Sequence, residues 1–154
     1  MKTKGILLFI IGVMLWSCGS SKQVNKDDLV NRLDSYMSKI DQDKSLEETF
    51  QDGALTDANG EEDLGIFKYY VNFDAKTKDL YRIKNIEETG NFRTESYYFK
   101  DNALVAATVK SSAADEKKIY LYKGKIISSS NIDSKEQDLL LTKAKRFQNE
   151  YKNK

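Results

Sequence analysis

The chain has 154 residues, of which 25 are basic and 24 acidic; it contains no histidine, no proline and a single cysteine, Cys18. Without histidine there is no Ser-His or Cys-His nucleophile pair, no histidine metal ligand and no imidazole general base, and one cysteine is too few for an internal disulfide or a cysteine-rich zinc site. Charges of both signs are mixed along the chain, so no basic block points to nucleic acid and no acidic tail to a polycation.

Met1 to Ser17 has the three parts of an export signal: Lys2 and Lys4 at the start, an apolar run from Ile6 to Leu15, and small or polar residues around Cys18. The run is about half of the ~20 residues that span a bilayer as a helix, which argues against a permanent transmembrane anchor. Leu15-Trp16-Ser17-Cys18 resembles the lipobox of bacterial lipoproteins, with Trp16 standing where that family usually has a small or β-branched residue. The resemblance covers only the first 19 residues or so. It implies cleavage before Cys18, a lipid on its sulfur, and hence a membrane as the first partner. An aspartate after the cysteine retains some family members at the inner membrane; Gly19 stands there instead, which leans toward the outer membrane. The expected organisation is a signal peptide at 1–17, a polar tether at 18–25 and a single α+β domain at 26–154. Lys26-Asp27-Asp28 has a faint likeness to acidic surface-export tags, but it lies too far from the cysteine and reads better as a helix start.

Removing Lys2 and Lys4 from the 25 basic residues leaves 23 against 24 acidic, a net charge of −1 for the mature chain. Its first element is helical, because Leu29, Leu33, Tyr36, Met37 and Ile40 form one stripe, with Asn25 as the cap. Ser45-x-x-Glu48 has the pattern of a second capping box, for a short helix through Phe50. Asp52 to Gly65 reads as an acidic loop with a turn at Asn59-Gly60. The period then changes to two. Phe67 to Phe73, Leu80 to Ile86, Phe92 to Lys100, Ala103 to Lys110, Lys117 to Lys123 and Lys125 to Ser130 read as strands. Turns are expected at Asp74 to Asp79, Gly90-Asn91, Asp101-Asn102, Ser111 to Glu116 and Gly124. Tyrosine-bearing segments at Tyr69 to Phe73, Tyr97 to Lys100 and Tyr120 to Lys123 each precede a turn, giving three hairpins. An open meander of about six strands is favoured over a solenoid of stacked hairpins. A last helix follows, capped by Asp133 or Ser134, with Ser134-x-x-Gln137 as a capping-box pattern and an apolar stripe of Leu140, Ala144, Phe147 and Tyr151.

The expected fold is therefore α+β: an N-terminal helix, an antiparallel meander, and a C-terminal helix packed on the sheet, with one or both helices on a single face. Three groups merit attention as sites. Asp57, Asn59, Glu61, Glu62 and Asp63 offer oxygens for a hard cation such as calcium, but they lack EF-hand spacing, and a solvated loop is the better reading. Tyr70, Tyr98, Tyr120 and Tyr122 are expected opposite Phe73, Phe99 and Leu121, where they would form either an aromatic docking face or an ordinary half-buried stripe. Glu87-Glu88 and Asp115-Glu116 fall at expected turns, in solvent, where no pocket separates their pKa values for catalysis.

These readings favour a non-catalytic module of the cell envelope, anchored through Cys18 and binding a protein partner there, with no catalytic, metal or cofactor site and no nucleic acid. The helix–meander–helix order loosely resembles small periplasmic inhibitor and PepSY-like domains, an analogy of fold alone. The rival is a small-ligand-binding domain of cystatin-like or NTF2-like type, which predicts a concave apolar pocket lined by tyrosines; a docking module predicts a flat exposed patch and no deep cavity.

Overall fold

The computed structural model describes residues 25–112 and 114–153. The signal segment, Cys18 and the tether as far as residue 24 lie outside them.

Helix α1 (Lys26–Gln42) starts at the expected cap: the Asn25 side-chain oxygen accepts the Asp27 amide at 3.0 Å, and Asp27 and Asp28 occupy the first turn, where the helix dipole favours acids. Its stripe buries Leu33, Met37 and Ile40. The following segment corrects the reading of a short helix through Phe50. Asp43 takes the capping role instead, accepting the Ser45 amide at 2.9 Å and the Ser45 hydroxyl at 2.6 Å, and the chain passes into strand β1 (Glu47–Thr56). Ladder pairing from Glu47↔Phe73 to Leu55↔Gly65 overrides the local capping pattern. The acidic loop is correspondingly shorter than expected, with β1 running to Thr56 and β2 beginning at Asp63.

Strands β2 (Asp63–Phe73), β3 (Leu80–Glu88), β4 (Phe92–Lys100), β5 (Ala103–Ser111), β6 (Ala114–Tyr122) and β7 (Lys125–Ser130) follow, each antiparallel to the one before. The sheet is thus one seven-stranded meander in chain order rather than six strands, and β1 is the addition. The broad turn expected over Ser111 to Glu116 shrinks, because β6 already starts at Ala114. Tight turns at Asp101-Asn102 (φ 51° and 59°) and Lys123-Gly124 (φ 51° and 75°) have the paired positive φ of type I′ hairpins, whose twist matches that of the strands they join. Gly65 (φ 145°) sits where the β1–β2 register shifts, and a Cβ there would collide with the Glu88 carbonyl.

Helix α2 (Ser134–Lys152) is capped by Asp133, whose carboxylate accepts the Glu136 amide at 2.8 Å; Ser134 is already helical, so Asp133 and Glu136 form the capping pair rather than Ser134 and Gln137. The two helices lie on opposite faces of the sheet, so that of the expected one or both helices on a face, each face carries one. Adjacent residues in the central strands are apolar on both sides: Tyr97, Tyr98 and Phe99 in β4, Ala106 and Ala107 in β5, and Ile119, Tyr120 and Leu121 in β6. A sheet apolar on both faces needs cover on both. Against α2 pack Val71, Phe73, Ile83, Tyr97, Phe99, Ile119 and their neighbours, meeting Leu140, Ala144 and Phe147. Against α1 pack Tyr98, Ala106 and Tyr120, meeting Leu33, Met37 and Ile40. Complete burial of a side chain the size of Leu140 or Phe147 contributes about 1.5–3 kcal/mol, so α2, with the larger cluster, is the more firmly held helix.

Candidate functional site

Helix α2 reaches across its face as far as β2, where Phe147 meets Tyr69 (ring centroids 5.2 Å apart) and Tyr151 meets Phe73 (5.8 Å). It stops there. Between α2 and the edge strand β1 lies a trough of about 660 Å³, floored by Val71, Phe73 and Tyr69 and walled by Thr49 and Tyr151. A second hollow of about 540 Å³ continues it past Tyr69 to Gln51, Leu55 and Phe67. Together they form a groove running along β1, apolar along its floor and bordered by Glu87, Arg146, Glu150 and Lys152. Alternation explains the lining: Thr49, Gln51 and Leu55 share one face of β1 with their partners Val71, Tyr69 and Gly65 of β2. The groove wall is fixed by polar ties. The Tyr151 hydroxyl donates to the Lys78 carbonyl at 2.8 Å, and the Gln148 amide donates to the Asn102 carbonyl at 2.6 Å. The Lys78 ammonium lies 5.2 Å from the Phe73 ring centre at the mouth. Burial, with Glu150 nearby, pushes the Tyr69 phenol up, so it stays a neutral hydrogen-bonding group at any ordinary pH.

A second constellation lies under the start of α2. Glu95 is buried (1% side-chain exposure) among positive groups. Lys143 Nζ is 3.0 Å from both its oxygens, Arg93 Nε donates at 2.9 Å and the Tyr97 hydroxyl at 2.7 Å. Burial pushes the Glu95 carboxyl up, but the Lys143 charge and the hydrogen bonds from Tyr97, Arg93 and Lys143 outweigh it and hold it below the usual carboxylate range. Arg93 and Lys117 also reach Glu136 at 3.2 and 2.6 Å, and Lys143 reaches Glu87 at 3.4 Å. Three acids and three bases thus compensate one another, and Glu95 has no room for a substrate. The arrangement fastens α2 to the sheet and does not resemble an acid–base pair with separated pKa values.

The residues singled out in the sequence are dispersed. Asp57 closes the acidic loop by accepting the Glu61 and Glu62 amides at 2.8 and 3.3 Å, with Gly60 at φ 75° making the Asn59-Gly60 turn. No group of three or more metal-ligating side chains occurs among the described residues. Tyr98 and Tyr120 do lie opposite Phe99 and Leu121, but α1 covers them. Their hydroxyls donate to Asp41 (3.0 Å) and Asp34 (2.7 Å), so this part of the tyrosine face is a seat for α1 and not a free surface. Tyr70, on the same face, packs at a tilt against Phe50 (ring centroids 4.9 Å apart) under the Lys84 ammonium, and Tyr122 is 40% exposed. Glu87 and Glu88 are not in a solvated turn: both end β3, where Glu87 joins the Lys143 cluster and Glu88 pairs with Lys68 at 2.9 Å. Asp115 and Glu116 likewise belong to β6; Asp115 is exposed and Glu116 pairs with Lys118 at 3.2 Å.

Sequence reasoning passed over both the groove and Glu95. The spacing Arg93-x-Glu95-x-Tyr97 places three polar-tipped side chains on one strand face that ends in Phe99, and that was the available signal for the cluster. No helix among the described residues is long and apolar enough to cross a membrane. No protein family, curated protein or solved structure matches this chain.

Proposed function

We propose that the protein is a small lipoprotein of the bacterial cell envelope, held through a lipid on Cys18, and that its folded domain is a non-catalytic binding module whose working surface is the groove between β1–β2 and α2. The observation that carries the binding role is the groove itself: a trough left open where α2 stops short of the sheet edge, concave where a flat docking patch was expected. The anchor rests on Leu15-Trp16-Ser17-Cys18 and the signal-like run before it. The polar clusters are internally compensated, which fits a scaffold better than an enzyme. Metabolic labelling with an alkyne fatty acid tests the anchor. The wild type takes the label and sediments with membranes, whereas Cys18→Ala loses both; an unlabelled wild type refutes the anchor. Density fractionation tests the proposed envelope localisation, with the wild type expected at outer-membrane density.

A second reading, small-ligand binding as in cystatin-like or NTF2-like domains, draws support from the volume. About 660 Å³ lies within the range of small-molecule sites, and Tyr69 and Tyr151 both line it. An apolar fluorophore binding to the detergent-solubilised protein, and displaced in Thr49→Trp, supports the groove as a working surface. Equal binding by both proteins counts against it.

A further inference from the structure

We propose that β1 is a docking edge that takes an extended, proline-free basic segment of a partner protein as an eighth strand. The inference rests on the groove being the working surface and is independent of the lipid.

The first argument is backbone direction. The Asp74 amide donates to the Asp79 carbonyl at 3.0 Å, toward the β3 side. In an antiparallel ladder successive residues aim their N–H and C=O at opposite neighbours, so Phe73, Val71, Tyr69 and Phe67 point at β1. Their partners Glu47, Thr49, Gln51 and Gly53 point back at them. The other end agrees, since the Asp57 amide donates inward to the Glu62 carbonyl at 3.0 Å. Glu48, Phe50, Asp52 and Ala54 therefore present their N–H and C=O outward, along a ten-residue strand that is exposed over most of its length.

The second is the weaker edge protection. Sheets blunt their edges with short strands, charged side chains (lysine above all), proline or bulges. The opposite edge follows that rule: β7 has six residues and opens on Lys125. β1 is longer and carries no lysine, arginine or proline; its charges are Glu47, Glu48 and Asp52, and its register shifts only near its end, between Leu55 and Thr56.

The third is charge. The ionisable residues of β1 are Glu47, Glu48 and Asp52. A second copy would set two acidic edges together, whereas a strand bearing lysine or arginine at alternate positions would complement them. Phe50, 54% exposed between Glu48 and Asp52 on that face, offers an aromatic contact. On the other face the added strand places alternate side chains beside Thr49 and Gln51, so large apolar ones lean into the groove. Strand addition of this kind takes affinity from main-chain hydrogen bonds and specificity from alternate side chains.

The test uses the detergent-solubilised full chain and a labelled peptide of about nine residues, alternating lysine with phenylalanine or leucine. Anisotropy is the readout, with amide exchange mapping the contact. Two further peptides carry N-methyl groups on one or the other alternate set of amides. The expected result is binding that one methylation pattern abolishes and the other spares, with slowed exchange at Glu48, Phe50, Asp52 and Ala54. Asp52→Lys should weaken binding by about tenfold, equivalent to ~1.4 kcal/mol, and a glutamate-for-lysine peptide should not bind. Equal tolerance of both methylation patterns, or protection away from β1, overturns the proposal. Self-association through β1 without peptide binding also overturns it, in favour of a second copy. If the peptide fails while the fluorophore still binds in a Thr49-dependent way, strand addition is wrong and the groove reading stands; if both fail, the groove reading falls too.

Discussion

The two faces of the sheet solve one problem differently. Each has a helix lying over tyrosine-bearing strands, and each places carboxylates against the phenols. Under α2 the acid is on the sheet: Glu95 has a side-chain exposure of 1% and is surrounded by Lys143, Arg93 and Tyr97. Under α1 the acids are on the helix. Asp34 and Asp41 are 44% and 42% exposed at its rim and accept from Tyr120 and Tyr98, while Arg82 also holds Asp41. A buried charge is costly to strand, whereas a rim charge falls back on water. The difference makes the α2 face an all-or-none fit and the α1 face a graded one.

The comparison can be broken most severely at the α2 core. Phe147→Ala removes a ring packed against both Tyr69 and Tyr97 and should cost about 3–5 kcal/mol, measured by denaturant unfolding. Lys143→Ala comes next. It leaves Glu95 short of its main compensating charge and should cost about 3 kcal/mol; a loss under 1 kcal/mol would show that Glu95 is not the dry, closed site described. On the other face Tyr98→Phe and Tyr120→Phe should each cost only about 1 kcal/mol, because their acids are rehydrated. Equal losses on the two faces would erase the contrast.

Acid sharpens it further. Glu95 has its folded pKa depressed below the ordinary 4.5, so its contribution is fully present above that value and is lost as pH falls through the lower folded one. Wild-type stability should therefore decline below about pH 4.5, and Glu95→Gln should show a shallower decline from a lower starting stability. A parallel decline in both would assign the acid sensitivity elsewhere. The smallest effect is dynamic: native-state amide exchange should open α1 at a lower free energy than α2.

Most elements were legible because their chemistry is local. The caps Asn25 and Asp133, the helical stripes, and the strands at Phe92–Lys100 and Lys125–Ser130 lie where spacing and turn residues put them. β1 was not legible, and the reason is its position. An edge strand with no helix over it on either face needs no alternation of apolar and polar residues, so Glu47 to Thr56 shows no period of two, and Ser45-x-x-Glu48 mimics a cap. The helices' opposite placement was written in Tyr97-Tyr98-Phe99 and Ile119-Tyr120-Leu121, apolar on both sides, but an interrupted run of that kind also fits a strand covered on one face. The candidate groove was beyond reach for a related reason: it depends on where α2 ends across the sheet, which no spacing within a single element encodes.

The meander order also bears on how quickly the molecule assembles. Every strand pairs with its chain neighbour, so each ladder closes only a short loop, at small entropic cost. The chain has no proline, and so no prolyl isomerisation to wait for. Local pairing of this kind favours rapid formation of the sheet, whereas the helix contacts, such as Tyr120 with Asp34 and Tyr151 with Lys78, join residues far apart in the chain. A short interval with bare strands leaves the chain less open to proteolysis and aggregation. β1, with one neighbour and no helix above it, should be the last strand to zip on and the first to fray.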